Sequence, residues 1–161
     1  MKKLNSLGIG PIIGGIALPG LAVTIFLSLK YKELFSFFES GNNILKIVGI
    51  CLVIIGLVMY FTTAPLLLKG LKESKLITTG TYYLCCNPLY TSIILFVIPG
   101  ISFWMNSWLI LIISPIAYIM FKIYIKREYA EMELFFGDNY KEYYKKTPEF
   151  FPFPINKWLK K

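Results

Sequence analysis

Three stretches of the chain contain no Asp, Glu, Lys or Arg, and together they make up more than half of its 161 residues. They are Leu4–Leu29, Ile47–Leu68 and Leu76–Phe121. A helix of about 20 apolar residues crosses a bilayer core of roughly 30 Å, so each of the first two stretches is long enough for one span. The surface of a soluble protein is largely polar, so a chain of this size cannot hide this much uncharged sequence. The pattern predicts an all-α integral membrane protein.

The third stretch is predicted to begin with a loop and to continue as a helical hairpin. Residues 76–88 are rich in turn formers and β-branched side chains. The uncharged residues that follow are too many for one ordinary span, and Pro99-Gly100 and Met105-Asn106-Ser107 favour a break between two helices. The four predicted spans cover residues 7–29, 44–68, 89–103 and 107–126. Small residues in the first span, at Gly8, Gly10, Gly14 and Gly15, predict close approach of a neighbouring helix.

The distribution of charge predicts the orientation in the membrane. The chain carries 17 basic and 9 acidic residues, a net charge of +8. With four spans and a cytoplasmic N-terminus, all the basic residues except Lys30, Lys32 and Lys46 lie on the cytoplasmic side, as the positive-inside rule favours. We therefore expect one multi-pass membrane domain over residues 1–161 with both termini cytoplasmic, a cytoplasmic loop at 69–88 and a cytoplasmic tail at 127–161.

The side-chain inventory excludes several kinds of chemistry. There is no His, and the three cysteines, at 51, 85 and 86, do not form a Cys-x-x-Cys pair. Neither a metal site nor a His-dependent nucleophilic mechanism is therefore expected. No basic and aromatic platform lies apart from the membrane segments, so we do not expect a nucleic-acid partner.

Candidate chemistry falls in three places on the predicted cytoplasmic side. The first is residues 80–90, which are either a plain helix start with Asn87 as N-cap or an anion site at a helix N-terminus. The second is Glu128, at the membrane boundary on a helix predicted to run on to Phe136 and to stop at Gly137; the nearby Glu131 and Glu133 are typical of a solvated face. The third is the aromatic tail at 135–153, with a short helix predicted from Asp138 to Lys146. This tail is either an interfacial belt or a lid over a cationic ligand.

The order and spacing of these motifs resemble a known family. The chain reads Leu76-Ile-Thr-Thr-Gly80-Thr-Tyr82, Asn87-Pro88-Leu-Tyr90, Glu128, Phe136-Gly137-Asp-Asn-Tyr140-Lys-Glu-Tyr143, and then Pro148 and Phe151-Pro152-Phe153. From residue 76 onward it resembles the membrane methyltransferase superfamily that includes isoprenylcysteine carboxyl methyltransferases and phospholipid N-methyltransferases. The first two spans match that superfamily only as membrane helices.

The resemblance implies an S-adenosylmethionine-dependent methyltransferase that takes a lipid or lipidated acceptor from the bilayer and methylates a carboxylate oxygen or an amine. Glu128, Asn87 and Tyr90 are the implied catalytic residues. Tyr82 and Tyr90 are expected to face the cationic methionine end, Asn87 and the helix start its carboxylate, and Glu128 its ammonium or the ribose hydroxyls. The implied cofactor pocket is lined by Lys75, Leu76, Ile77, Tyr82, Asn87, Pro88, Leu89, Tyr90 and Glu128.

Two positions depart from the pattern of that superfamily. An Arg precedes the Asn-Pro pair in the family, and this chain has Cys86 there. In the isoprenylcysteine enzymes an Arg lies one helical turn before the Glu, and this chain has Tyr124. The alternatives to a methyltransferase are a nicotinamide-dependent membrane reductase and a non-catalytic membrane relative that binds a partner or lipid.

Overall fold

The computed structural model describes residues 9–38 and 42–150, and helices account for most of these residues. Three of the helices are long and apolar enough to cross a membrane, and Pro88–Trp104 is apolar but shorter. The predictions of an all-helical chain and of membrane-length apolar helices are confirmed for this part of the sequence. The helices are α1 Gly10–Lys30, α2 Lys32–Phe35, α3 Asn43–Glu73, α4 Pro88–Trp104, α5 Trp108–Phe136 and α6 Asp138–Lys146, with a 3-10 turn at Gly80–Tyr83.

Helix α3 extends further than the span predicted at 44–68. Lys69, Lys72 and Glu73 belong to the helix, and the chain leaves it at Ser74, which adopts a left-handed conformation with φ of 50°. Charged residues mark the edge of the apolar segment, but Lys and Glu are good helix formers and do not end a helix. The loop predicted at 69–88 therefore begins too early in the sequence, and the connection between α3 and α4 is shorter than predicted.

Helix α4 runs through Pro99-Gly100, where the sequence predicted a break. Residues Ser92–Val97 adopt a π-helix, so that the Ile98 N–H bonds to the Ile93 carbonyl. In this register the partner of the Ile94 carbonyl would be the N–H of residue 99, which proline lacks. The Ser114 hydroxyl of α5 donates to the Ile94 carbonyl instead. The helix passes Pro99 because a neighbouring helix supplies the missing hydrogen bond.

The predicted break at Met105-Asn106-Ser107 is confirmed as the turn between α4 and α5. Asn106 has φ of 55°, and the Ser107 N–H bonds to the Ser102 carbonyl at 2.9 Å. Ser107 also contacts the end of α1, where its Oγ lies 2.6 Å from that of Ser28, and the segment that follows α2, where its backbone bridges to Ser36. The turn and α2 therefore form one end of the helical bundle.

The closest packing between helices at glycine occurs along α3 and α4, while in α1 a Cβ on Gly10 would be in ordinary contact, 3.9 Å from the Tyr90 hydroxyl. A Cβ atom on Gly49 would lie 2.4 Å from the Trp104 nitrogen, and one on Gly56 would lie 2.7 Å from a Val97 methyl group. In α1, a Cβ on Gly15 would meet nothing within 4 Å, and one on Gly14 would meet only a side chain of its own helix. The predicted close approach at Gly14 and Gly15 is wrong, and Gly8 lies outside the described residues.

The other end of the bundle brings α1, α4 and α5 together around a small apolar core. As predicted, α5 ends at Gly137, whose φ of 57° suits glycine, and α6 covers 138–146. Tyr90 and Tyr129 pack against this core and connect it to the site described below. The core comprises Ile9, Ile13, Ile94, Ala117, Phe121, Ile125 and Phe150.

Candidate functional site

A cavity lies at the end of the bundle where α3 ends and α4 begins. The empty space between its walls is about 1020 Å³, a figure that includes the solvent at its open mouth. Apolar and aromatic side chains line it together with a few polar groups, as is common in small-molecule sites. Its walls come from the last turns of α3, the connection that follows, the first turn of α4, the end of α5 from Glu128 to Phe136, and α6.

The structure brings every residue of the predicted cofactor pocket to this one cavity. The two groups are far apart in the sequence, since one covers residues 75–90 and the other is Glu128 on α5. Their convergence brings the first two motifs singled out in the sequence to a single space. The predicted residues that line it are Lys75, Leu76, Ile77, Tyr82, Asn87, Pro88, Leu89, Tyr90 and Glu128.

The connection between α3 and α4 is shaped by two glycines and a pair of threonines. Gly80 has φ of 65°, and a Cβ there would lie 2.7 Å from a Leu66 methyl group. A Cβ on Gly70 would lie 2.6 Å from Ile77, so the connection folds back tightly on α3. The hydroxyls of Thr63 and Thr81 lie 2.7 Å apart and tie the 3-10 turn to the same helix. Tyr82 is thereby turned toward the cavity.

Glu128 is half-buried and is held through one carboxylate oxygen. Its Oε2 accepts from the Ile9 N–H at 3.3 Å and from the Tyr90 hydroxyl at 3.4 Å. Ile9 precedes the first turn of α1, where free N–H groups and the helix dipole favour a negative charge. Both contacts go to Oε2, so Oε1 is the atom that can accept a hydrogen bond from a ligand in the cavity.

Asn87 stands at the predicted N-cap of α4, but its side chain does not cap the helix. Its Nδ2 donates to the Tyr129 hydroxyl at 2.5 Å and to the Glu149 carbonyl at 2.8 Å. The Tyr129 hydroxyl in turn donates to Glu149 Oε1 at 3.1 Å, and Lys122 pairs with Glu149 Oε2 at 2.6 Å. Asn87 is therefore oriented by the C-terminal segment and by α5.

The segment Thr147–Phe150 crosses the start of α4. The Pro148 carbonyl accepts from the Cys86 N–H at 2.8 Å, and the Phe150 carbonyl lies 2.5 Å from Thr91 Oγ1. The Phe150 ring packs 4.9 Å from that of Phe121 in the apolar core. These contacts pin the segment to the start of α4 and to α5, next to Cys86 and Asn87, which line the cavity.

The cavity holds acidic and phenolic groups with a single basic residue among the described side chains that line it. Glu128 and Glu131 are the acids, and Lys75 is the base. Burial, followed by the charge of Glu128, raises the pKa of Tyr82, so its hydroxyl stays protonated at physiological pH. An acidic, aromatic site of this kind favours a cationic ligand over an anionic one.

The aromatic tail divides between the cavity and the core. Phe136, Tyr140 and Tyr143 line the cavity, as expected for a lid over a ligand. Phe135 is exposed and Phe150 is buried against other aromatic rings, so neither lines the cavity. Phe151, Pro152 and Phe153 lie outside the described residues.

Sequence reasoning missed the groups that orient Asn87. Tyr129 directly follows Glu128, and one turn of α5 later Met132 also lines the cavity. Lys122 and Glu149 were not singled out in the sequence, although their pairing at 2.6 Å helps hold the C-terminal segment. The periodicity of α5 is a signal for Met132 and Phe136, which fall on the same helical face as Glu128, but it does not identify Tyr129, Lys122 or Glu149.

Comparison with models of protein families, with curated proteins and with solved structures finds no significant match to this chain.

Proposed function

We propose that the protein is an S-adenosylmethionine-dependent methyltransferase acting on a lipid-like acceptor in the membrane. The observation that carries the proposal is the cavity itself. Nine residues that the resemblance assigns to the cofactor line one space at one end of the bundle. Eight of them lie within residues 75–90, so the long-range part of the observation is the approach of Glu128, 38 residues after Tyr90, to that segment.

The side chains around the cavity suit the chemical groups of that cofactor. S-adenosylmethionine supplies an electrophilic methyl group on a sulfonium, which leaves as a neutral thioether when an acceptor oxygen or nitrogen forms the new bond. The ring of Tyr82 and the carboxylate of Glu128 favour the positive charges at the methionine end. The apolar side chains of Leu76, Ile77 and Leu89 suit the nucleoside.

The residues of the site contribute alignment, exclusion of water and, for an amine acceptor, removal of a proton. A carboxylate acceptor needs no base, whereas a protonated amine must lose its proton before it can attack. Glu128 Oε1 is available for that proton, while Oε2 stays bonded to Ile9 and Tyr90. Holding the acceptor and the methyl group in line lowers the entropic part of the barrier.

The walls formed by α3 and α5 suit the hydrocarbon part of an acceptor. Leu67, Leu71, Met132 and Phe136 present apolar side chains to the same cavity as Glu128. These residues lie on two of the helices that are long enough to cross a membrane. A lipid or lipidated acceptor can therefore keep its chain against apolar side chains while its polar group reaches Glu128.

The proposal places four helices across the bilayer, with α4 as the fourth span and both termini in the cytoplasm. Lys75 and Tyr140 line the same cavity, so the connection before α4 and the helix after α5 lie on one side of the bundle. An odd number of crossings between them would place these residues on opposite sides. The cavity then faces the cytoplasm, where S-adenosylmethionine is made.

Replacing Glu128 by Gln tests the proposal. The change keeps the shape but removes the charge and the proton acceptor, so we expect transfer of a labelled methyl group to a membrane lipid extract to fall at least about 100-fold. Glu133→Gln is the matched control on the same helix, because Glu133 pairs with Lys141 at 3.2 Å and does not line the cavity. Equal activity in wild type and Glu128→Gln would remove Glu128 from the mechanism, and failure of the wild type to bind S-adenosylhomocysteine would contradict the proposed function.

A further inference from the structure

The hydrogen bonds of Asn87 restrict what this side chain can offer to a ligand. An amide side chain has two N–H donors and one carbonyl acceptor. Both donors of Asn87 are engaged, one by the Tyr129 hydroxyl at 2.5 Å and the other by the Glu149 carbonyl at 2.8 Å. Asn87 is buried yet lines the cavity, so its interaction with a ligand must come from the atom that remains, Oδ1.

The orientation of the amide follows from its partners. The Glu149 carbonyl is an acceptor only, so rotating the amide to place Oδ1 there would set two acceptors 2.8 Å apart. The Tyr129 hydroxyl donates its single proton to Glu149 Oε1 and is therefore an acceptor toward Asn87. Both neighbours thus favour the same orientation of the amide.

A chain of contacts fixes these partners in place. Lys122 pairs with Glu149 Oε2, Glu149 Oε1 accepts from Tyr129, and the Cys86 N–H bonds to the Pro148 carbonyl. The segment that supplies the Glu149 carbonyl cannot shift without breaking several of these bonds together. Asn87 is held from two elements that follow it by more than 40 residues.

We propose that Tyr129 and Glu149 are positioning residues that present Asn87 to the cofactor only as a hydrogen-bond acceptor; this inference rests on the proposed function. Its partner on the cofactor is then a donor, such as the ammonium, a ribose hydroxyl or the adenine amine. The cofactor carboxylate, which the sequence alone assigned to Asn87, has no donor to meet at this side chain.

The test compares the binding of two nucleosides to the wild type and to Tyr129→Phe. The first is S-adenosylhomocysteine, and the second is the same compound without its carboxylate. Removing the Tyr129 hydroxyl leaves one amide donor of Asn87 without its partner, so the amide and its Oδ1 are no longer held in one orientation. We expect both dissociation constants to rise about tenfold, because a lost hydrogen bond commonly changes affinity by that order. Equal factors for the two compounds show that Asn87 does not contact the carboxylate.

Tyr118→Phe is the control, because its ring packs 5.0 Å from that of Phe150 on the same segment, while Tyr118 does not line the cavity. Its affinities should equal those of the wild type. Glu149→Gln keeps the backbone carbonyl but removes the ion pair with Lys122, leaving at most a neutral hydrogen bond, and should raise both dissociation constants by a smaller factor. Thermal unfolding midpoints of all variants separate positioning from loss of the fold, and Glu149→Gln serves as the second test if Tyr129→Phe is unstable.

Three results would overturn the inference. Unchanged affinity in Tyr129→Phe alongside tight binding by the wild type contradicts the positioning role and leaves the proposed function in place. An effect of Tyr129→Phe that disappears with the compound lacking the carboxylate shows that Asn87 binds that group. Absence of S-adenosylhomocysteine binding by the wild type removes both the inference and the proposed function.

Discussion

Cys86 stands where the resemblance noted in the sequence would lead us to expect an arginine, and its surroundings suit a neutral side chain. Its Sγ lies 3.5 Å from the Thr147 carbonyl and its backbone N–H bonds to Pro148. Burial raises the pKa of Cys86 to about 12, so the thiol is protonated at physiological pH. The site therefore lacks both the positive charge of the family residue and a reactive thiolate.

Alkylation of Cys86 tests this protonation state. Because burial favours the neutral thiol, the thiolate fraction should rise about tenfold per pH unit from about pH 7 to about pH 10, without the plateau that an ordinary thiol shows above about pH 9. The rate of carbamidomethylation would be measured by mass spectrometry in a Cys51→Ala, Cys85→Ser background, with the denatured chain as control. A plateau near pH 9 in the folded protein would contradict the raised pKa.

The local sequence predicts which residues line the cavity better than it predicts which hydrogen bonds those residues make. Tyr82, Asn87 and Glu128 lie within motifs whose spacing can be read directly from the chain. The partner of the Asn87 amide cannot be read in this way, because Glu149 is separated from it by 62 residues and meets it only through tertiary packing. A helix cap would use only neighbouring residues. In the structure the Asn87 side chain bonds instead to Tyr129 and Glu149, which are distant in the sequence.

The contact between α3 and α4 depends on backbone proximity at glycine. A Cβ on Gly49 would lie 2.6 Å from the Gly100 carbonyl oxygen, and one on Gly100 would lie 2.8 Å from the Gly49 carbonyl oxygen. Backbone atoms of this kind cannot move aside as the end of a flexible side chain can. The two helices are therefore fixed at a separation that only small residues allow.

Gly49→Ala should destabilise the protein by about 1–3 kcal/mol, because overpacking at the backbone outweighs the better helix propensity of Ala. Gly15→Ala is the matched control, since a Cβ there meets nothing within 4 Å. It should leave stability unchanged or raise it by up to about 1 kcal/mol. Thermal or denaturant unfolding in detergent measures both, and equal stability of the two variants would contradict the packing described for α3 and α4.

Helix ends and helix interruptions were predicted with unequal success. Gly137 gave the end of α5 correctly, because a glycine after an apolar pattern can adopt the positive φ found there. Pro99 did not interrupt α4, because the hydroxyl of Ser114 on another helix bonds to Ile94. For α3, the composition predicted the end of the apolar part at Leu68. It did not predict the end of the helix, which continues to Glu73.

The arrangement of the whole chain in the membrane can be tested by labelling single cysteines. In a background with Cys51, Cys85 and Cys86 replaced by Ser, we expect a membrane-impermeant maleimide to label Lys32→Cys in intact cells. Ser74→Cys and Asp138→Cys should be labelled only after the membrane is opened, because both positions are exposed at the end of the bundle that carries the cavity. Labelling of Asp138→Cys from outside would contradict the four-span arrangement.

The length of α4 has a consequence for the bilayer beside it. Its 17 residues extend about 25 Å, which is a few ångströms less than a typical hydrocarbon core of about 30 Å. Where α4 crosses as proposed, this hydrophobic mismatch thins the bilayer beside the helix or draws headgroups toward both of its ends, including the one at Pro88. The floor of the cavity then lies at headgroup depth, so an amphiphile diffusing in the cytoplasmic monolayer meets the opening without leaving the lipid.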